Sequence, residues 1–318
     1  MIVAVDLFYW LIGLLLAAVA IMAARDPANP RRWSTALFWG LYAALYLVGE
    51  HMPPVGAGLM MVLMALIAGF GGVRAGSHTT LSGEARAASA RRMGHWLFVP
   101  ALVIPFVTIL CSTLLKDVKI DARFVLDPKN LTLVSLGCGA VVALAVAAWL
   151  TRSSPMQGVR EARRLIDAIG WALVLPHMLA VLGLLFAEAG VGKAVAHVVT
   201  AYVNMDSRFV AVAVYCIGMA LFTIVMGNGF AAFPVMAGGV GIPVLVHQYH
   251  ANPALMAAIG MFSAYCGTLM TPMAANFNIV PAALLELPDR NAVIKAQVPT
   301  ALPLLVANIL LLYLLMYQ

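Results

Sequence analysis

Asn228 stands between Gly227 and Gly229, and further along Asn276 and Asn278 flank Phe277 just past Thr271-Pro272, with Gly267-Thr268 one turn earlier. These amides and hydroxyls lie in a tract with no Asp, Glu, Lys or Arg between Arg208 and Glu286. A buried amide left unpaired costs about 1–3 kcal/mol, so each Asn needs a helix end to cap, a carbonyl to bind, or a ligand. Three of them on two adjoining broken segments favour one shared polar pocket over three separate caps. The starts of half-helices add free N–H groups with partial positive charge, an arrangement that receives a carboxylate. With no side-chain cation in the tract, a small organic anion would be held by backbone N–H, Asn and Thr, with a Na⁺ on backbone carbonyls as a coupling ion. H⁺ coupling would need a carrier, and the tract holds no carboxylate. His177, beside Pro176 in another apolar run, is the candidate for a proton or polar relay; it could equally satisfy the carbonyl that Pro176 frees.

The elements that hold these residues are membrane helices. Of 318 residues, 63% are apolar and 10% charged, with a mean hydropathy of +0.97. A soluble domain would carry about a quarter charged residues, so the chain reads as all-α and polytopic in a bilayer. The formal charge of +6 sits in short loops between apolar runs, which is the pattern of orientation by positive loops and not of nucleic-acid binding. Cys111, Cys138, Cys216 and Cys266 all fall in apolar segments without a CxxC, as reduced, packed thiols do.

Apolar runs long enough to cross occur near 2–24, 34–51, 54–73, 96–115, 131–150, 168–187 and 208–226. The first lacks a basic leader and reads as a span and not a cleaved signal. Arg25, Arg31 and Arg32, then Arg74, Arg86, Arg91 and Arg92, then Arg152, Arg160, Arg163 and Arg164 mark alternate loops as cytoplasmic, which puts the N-terminus in the periplasm of a bacterial inner membrane. Between the fourth and fifth runs, KDVKIDARFVLDP reads as a small periplasmic cap. Residues 157–167 and 190–205 look amphipathic, the first with its arginines at headgroup depth, the second with a stripe of Val195, Val198, Val199 and Tyr202.

After Gly227, two half-length arms around Gly238-Gly239-Val240-Gly241-Ile242-Pro243 predict a re-entrant hairpin over 226–250, and Pro272 predicts a broken helix over 254–286. In lipid, backbone that leaves its helix must be buried in protein or line a wet cavity, and discontinuous helices at membrane depth are where secondary transporters hold substrate. With a final run near 299–317, about nine crossings and the hairpin result. Residues 1–207 then form scaffold and interface, and residues 208–318 the transport unit. No copy of the 227–278 pattern occurs in the first half, so a second membrane subunit is expected to carry the complementary repeat in a hetero-oligomer.

GNGFAAFPVMAGGVGIP followed by AYCGTLMTPMAANFNIVPAALLEL resembles a bacterial membrane-protein family regarded as one subunit of a two-subunit 5-oxoproline transporter, itself similar to the ion transporter superfamily of dicarboxylate and TRAP-type permeases. That resemblance implies elevator-type movement, a smaller membrane-embedded partner, and substrate and ion contacts at Gly227, Asn228, Gly229, Gly267, Thr268, Thr271, Pro272, Asn276 and Asn278. Sodium-coupled members have a Ser-Asn-Thr arrangement at such positions, whereas here glycines flank Asn228. Another small carboxylate is the alternative substrate, and a non-transporting scaffold the alternative role. An intramembrane enzyme would need a nucleophile with its base, and Ser263 has no His near it in sequence.

Overall fold

The computed structural model describes residues 2–77, 83–120, 123–289 and 291–317, and divides into two compact units, Met1–Asp167 and Ala168–Gln318. Among the described residues nearly all regular structure is helical. Among the described residues seven helical runs are long and apolar enough to cross a membrane: Val5–Ala24, Ala87–Leu114, Leu131–Thr151, Met156–Phe186, Arg208–Met226, Gly229–Gln248 and Ala292–Leu315. Pro54–Gly69 and Pro253–Leu269 are shorter apolar helices. The chain is thus built as a multi-pass membrane protein.

The first unit contains α1 (Val5–Ala24), α2 (Arg32–Val48), α3 (Pro54–Gly69), α4 (Gly83–Met93), α5 (Val99–Leu114), the two-stranded hairpin β1 (Lys119–Ile120) and β2 (Arg123–Phe124), α6 (Leu131–Thr151) and most of α7 (Pro155–Ile169). Leu16, Val19, Ala20 and Ala23 of α1 and Phe38, Trp39, Tyr42 and Ala43 of α2 are buried on facing stripes at helical spacing. The amides of Ile2 and Val3 donate to the carbonyls of Phe124 and Val125, each at 2.9 Å, so the N-terminal segment extends the small β cap. KDVKIDARFVLDP thus folds back as a small two-stranded element joined by the N-terminal segment; Asp121 and Ala122 lie outside the described residues.

The second unit contains α8 (Leu175–Glu188), α9 (Val191–Tyr202), α10 (Arg208–Met226), α11 (Gly229–Met236), α12 (Pro253–Leu269), α13 (Val280–Leu284) and α14 (Ala292–Leu315). The division between units falls before α8, and α8 and α9 pack with the later helices. Its core joins Tyr215, Cys216 and Met219 of α10 to Met256, Ile259 and Ala264 of α12 and to Ile309 and Leu312 of α14. Tyr215 is fully buried, donates to the carbonyl of Met256 at 3.3 Å, and lies where Gly241 and Gly260 leave no room for a side chain.

One expectation is overturned here. The chain does not reverse at Gly238–Pro243; Ala237–Gln248 continues α11 as a π-helix, and Gly229–Gln248 is a single rod. The reason is local. Pro243 has no N–H and its ring would meet the carbonyl four residues back, a conflict that an i→i+5 ladder relieves. The glycines are used for close approach: a Cβ on Gly239 would lie 2.5 Å from the carbonyl oxygen of Gly192, and one on Gly241 would lie 2.9 Å from the Tyr215 ring. That same contact explains α9. Its Val195 and Val199 pack on the core while Val198 and Tyr202 are exposed, so the expected stripe is divided between two faces.

Candidate functional site

The two breaks read from the sequence meet in the second unit. α10 ends at Gly227, whose φ of +74° belongs to the left-handed region that favours glycine. A Cβ there would also stand 2.6 Å from the Cβ of Met273 and 2.8 Å from its carbonyl oxygen. Gly227 is required by conformation and by contact, because the loop after α12 lies directly against it.

Asn228 follows in extended conformation and caps α11: its Oδ1 accepts from the Phe230 amide at 2.7 Å, and its carbonyl accepts from the Ala232 amide at 3.2 Å. The first-turn N–H groups of Gly229 and Ala231 have no intrahelical acceptor by helix geometry. Across from them, α12 ends at Leu269, and the chain runs through Thr271-Pro272 into a short π turn, Ala275–Ile279. Asn278, 1% exposed, donates from Nδ2 to the carbonyls of Thr268 (2.9 Å) and Thr271 (2.6 Å). It thereby satisfies acceptors that the end of α12 leaves open. Thr271 donates to the carbonyl of Ile224 at 2.8 Å and so ties this break to α10. Two buried oxygens here have no hydrogen-bond partner, Oδ1 of Asn278 and Oγ1 of Thr223.

Between the breaks lies a cleft of about 380 Å³, its open mouth included. One wall is Gly227 to Phe230, a second is Tyr265 and Thr268 of α12, a third is Leu175 and Leu179 of α8, and Ala274 and Phe277 close the end. The rings of Tyr265 and Phe277 are 6.0 Å apart between centroids and inclined at 45°. α8 approaches closely because Gly183 sits on α11: a Cβ there would lie 2.8 Å from the Cα of Ala231. Among the described residues no charged side chain lines the cleft. Among the described residues no group of three or more His, Cys, Asp or Glu is placed to hold a metal ion.

Of the residues singled out from sequence, Gly227, Asn228, Gly229 and Thr268 line the cleft. Gly267, Thr271 and Asn278 stand behind it: Gly267 lets α12 lie against Ala220 and Thr223 of α10, and the other two brace the break. Asn228 and Asn278 therefore do not share one pocket. Asn228 is a cap at the wall, Asn278 is a brace, and the side chain of Asn276 lies outside what the structure describes. Pro272 is exposed. His177, also exposed, is on α8 between the lining residues Leu175 and Leu179 but is not part of the wall. Sequence reasoning missed the aromatic surface, Phe230, Tyr265 and Phe277. The i,i+3 pairing of Tyr265 with Thr268 on an otherwise apolar helix was the available signal.

A family model described as a protein of unknown function (DUF979) matches residues 6–317. No curated protein and no solved structure matches the chain.

Proposed function

This chain belongs to the DUF979 family of proteins of unknown function, and we propose that it is the substrate-binding subunit of a secondary transporter for a small organic anion, 5-oxoproline being the ligand of choice. The observation that carries this reading is the meeting of two helix breaks around an uncharged cleft that offers helix-start N–H groups, a Thr hydroxyl and two aromatic faces. A cyclic carboxylate matches those surfaces: its charge to the start of α11, its ring to Tyr265 and Phe277. Elevator-type movement of the broken helices would alternate access to the two sides of a bacterial inner membrane.

Magnitudes define what else is needed. Removing a carboxylate from water costs several kcal/mol even after relaxation, and a helix start returns at most about 2 kcal/mol. The remaining compensation comes from outside this cleft, from a coupling Na⁺ or H⁺ or from a partner membrane subunit that carries the complementary broken unit. Oδ1 of Asn278 and the carbonyls around it are the oxygen ligands this chain could offer a cation.

The test is uptake of labelled 5-oxoproline into proteoliposomes containing this chain alone and then the chain with its membrane partner. Uptake only with the partner supports the reading. Uptake by this chain alone would remove the partner, and no uptake by folded complex would remove the substrate.

A further inference from the structure

We propose that the first unit carries a binding site for anionic phospholipid headgroups, built where the loop after α1, the loop after α3 and α7 converge. The site is independent of the transport cleft and rests on a charged node that the fold assembles from residues far apart in sequence.

At its centre Asp26 accepts from the Ser77 amide (2.8 Å), the Ser77 hydroxyl (3.0 Å), the Ala28 amide (3.1 Å) and Nη2 of Arg163 (2.7 Å). Nε of Arg163 also lies 3.5 Å from Oδ2 of Asp167, which accepts from the Gly76 amide at 3.4 Å. A Cβ on Gly76 would meet the Asp26 carboxylate and the Arg163 guanidinium, so a side chain there would have to displace the pair. Burial alone would raise the Asp26 carboxyl, but the Arg163 guanidinium, the Ser77 amide and hydroxyl and the Ala28 amide outweigh it and hold the group below its ordinary range. A second set of bonds fastens the same loops: Asn29 donates to the carbonyl of Arg74 at 2.8 Å and accepts from the Arg31 amide at 2.8 Å, and Thr35 accepts from the Arg74 amide at 3.1 Å.

The consequence is a separation of charge. The two acids are turned inward, with side chains 4% and 2% exposed, and Arg163 is spent on them. Arg25, Arg31, Arg74 and Arg160 are exposed around the node and form no ion pair with an acid among the described residues. The outward cations are all arginine, whose planar fork binds phosphate oxygens in pairs where a lysine offers a point charge. The depth is set by aromatics. Trp33, 67% exposed with Arg32 over its ring at 5.2 Å, and Phe70, 81% exposed, stand at the helix ends that open into these loops. Tryptophan with arginine at span ends marks the level of the headgroups, so the occupant is a lipid phosphate and not a soluble anion.

The full chain in nanodiscs of phosphatidylcholine, with and without phosphatidylglycerol, gives the test, read as lipid retained on the protein in native mass spectrometry. The variant Arg31→Gln/Arg74→Gln/Arg160→Gln removes three of the four outward cations and leaves Arg25 and the Asp26–Arg163 pair intact. Arg91→Gln/Arg92→Gln/Arg152→Gln removes the same charge from exposed positions of the same unit that make no bond to the node. Retention of phosphatidylglycerol over phosphatidylcholine by the wild type, lost by about fivefold per guanidinium in the first variant and kept in the second, is the expected result. Equal loss in both variants would show only a diffuse positive field, and displacement of the lipid by inorganic phosphate would show a soluble-anion site. Either outcome, or no preference in the wild type, overturns the proposal.

Discussion

The two units bury different kinds of polar group, although each keeps some buried polar atoms without a hydrogen-bond partner, Ser135 Oγ in the first and Thr223 Oγ1 in the second. In the first, full charges are enclosed, and Asp26 is ringed by an arginine, two amides and a hydroxyl. In the second, the lining of the cleft is uncharged, and Asn278 and Thr223 each keep a buried oxygen without a partner. The helices differ too. Ala87–Leu114 of the first unit is only 6% buried, whereas Arg208–Met226 and Gly229–Gln248 of the second are 44% and 61% buried. An ion-paired charged node, in which Nε of Arg163 still lacks a hydrogen bond, fixes loops at a membrane edge, where water can supply whatever the protein does not. An enclosed, uncharged break with spare acceptors is a place that can receive something else. That is why the transport reading is attached to the second unit and the lipid reading to the first.

Gly227→Ala should have the largest effect on this contrast. A left-handed alanine costs about 1–2 kcal/mol, and forcing a methyl into the Met273 backbone adds about 1–3 kcal/mol. Thermal unfolding in detergent should fall markedly and uptake should vanish; an unchanged melting curve would mean that the two breaks do not touch. Asp26→Asn comes next. It leaves Arg163 without its closest acid and should destabilise by about 1–3 kcal/mol. Because the folded carboxyl titrates below its ordinary range, the wild type holds this stability above that range and loses it as pH falls through the folded value. Asp26→Asn should flatten that acid limb, and an identical limb in both proteins would place the pH dependence elsewhere. Thr268→Val is the mildest. Its hydroxyl is satisfied locally by the Tyr265 carbonyl at 2.7 Å, so folding and assembly should persist. With that proton committed, Oγ1 can only accept, and the loss of the one hydrogen bond it would accept from the ligand's lactam N–H, about 0.5–1.5 kcal/mol, should lower uptake by up to about tenfold. Uptake equal to wild type would remove Thr268 from the site.

The parts of this contrast differ in how far the sequence reveals them. The break at Thr271-Pro272 was legible because proline cannot continue a helix ladder, and the break at Gly227–Gly229 was legible from its glycines, whereas the sequence favoured a shared pocket for Asn228 over the cap it forms. The rod through Gly238–Pro243 was not, because glycine serves chain reversal and close helix packing alike, and only the positions of Gly192, Tyr215 and Met256 show which applies. The aromatic wall was hidden for a similar reason: in a chain that is 63% apolar, a ring on a helix reads as packing. Asp26 and Arg163 are 137 residues apart. Nothing local to either announces the other, although the amphipathic pattern around Arg163 did place α7 correctly.

The central claim is that the start of α11 receives a carboxylate, and Asn228→Asp tests it most directly. Aspartate caps a helix as well as asparagine does, so the unfolding temperature of the complex should match the wild type. The added negative charge should abolish uptake of labelled 5-oxoproline into proteoliposomes. Uptake at the wild-type rate by a folded Asn228→Asp complex would contradict the account, because a carboxylate held at that helix start could not tolerate a second one beside it.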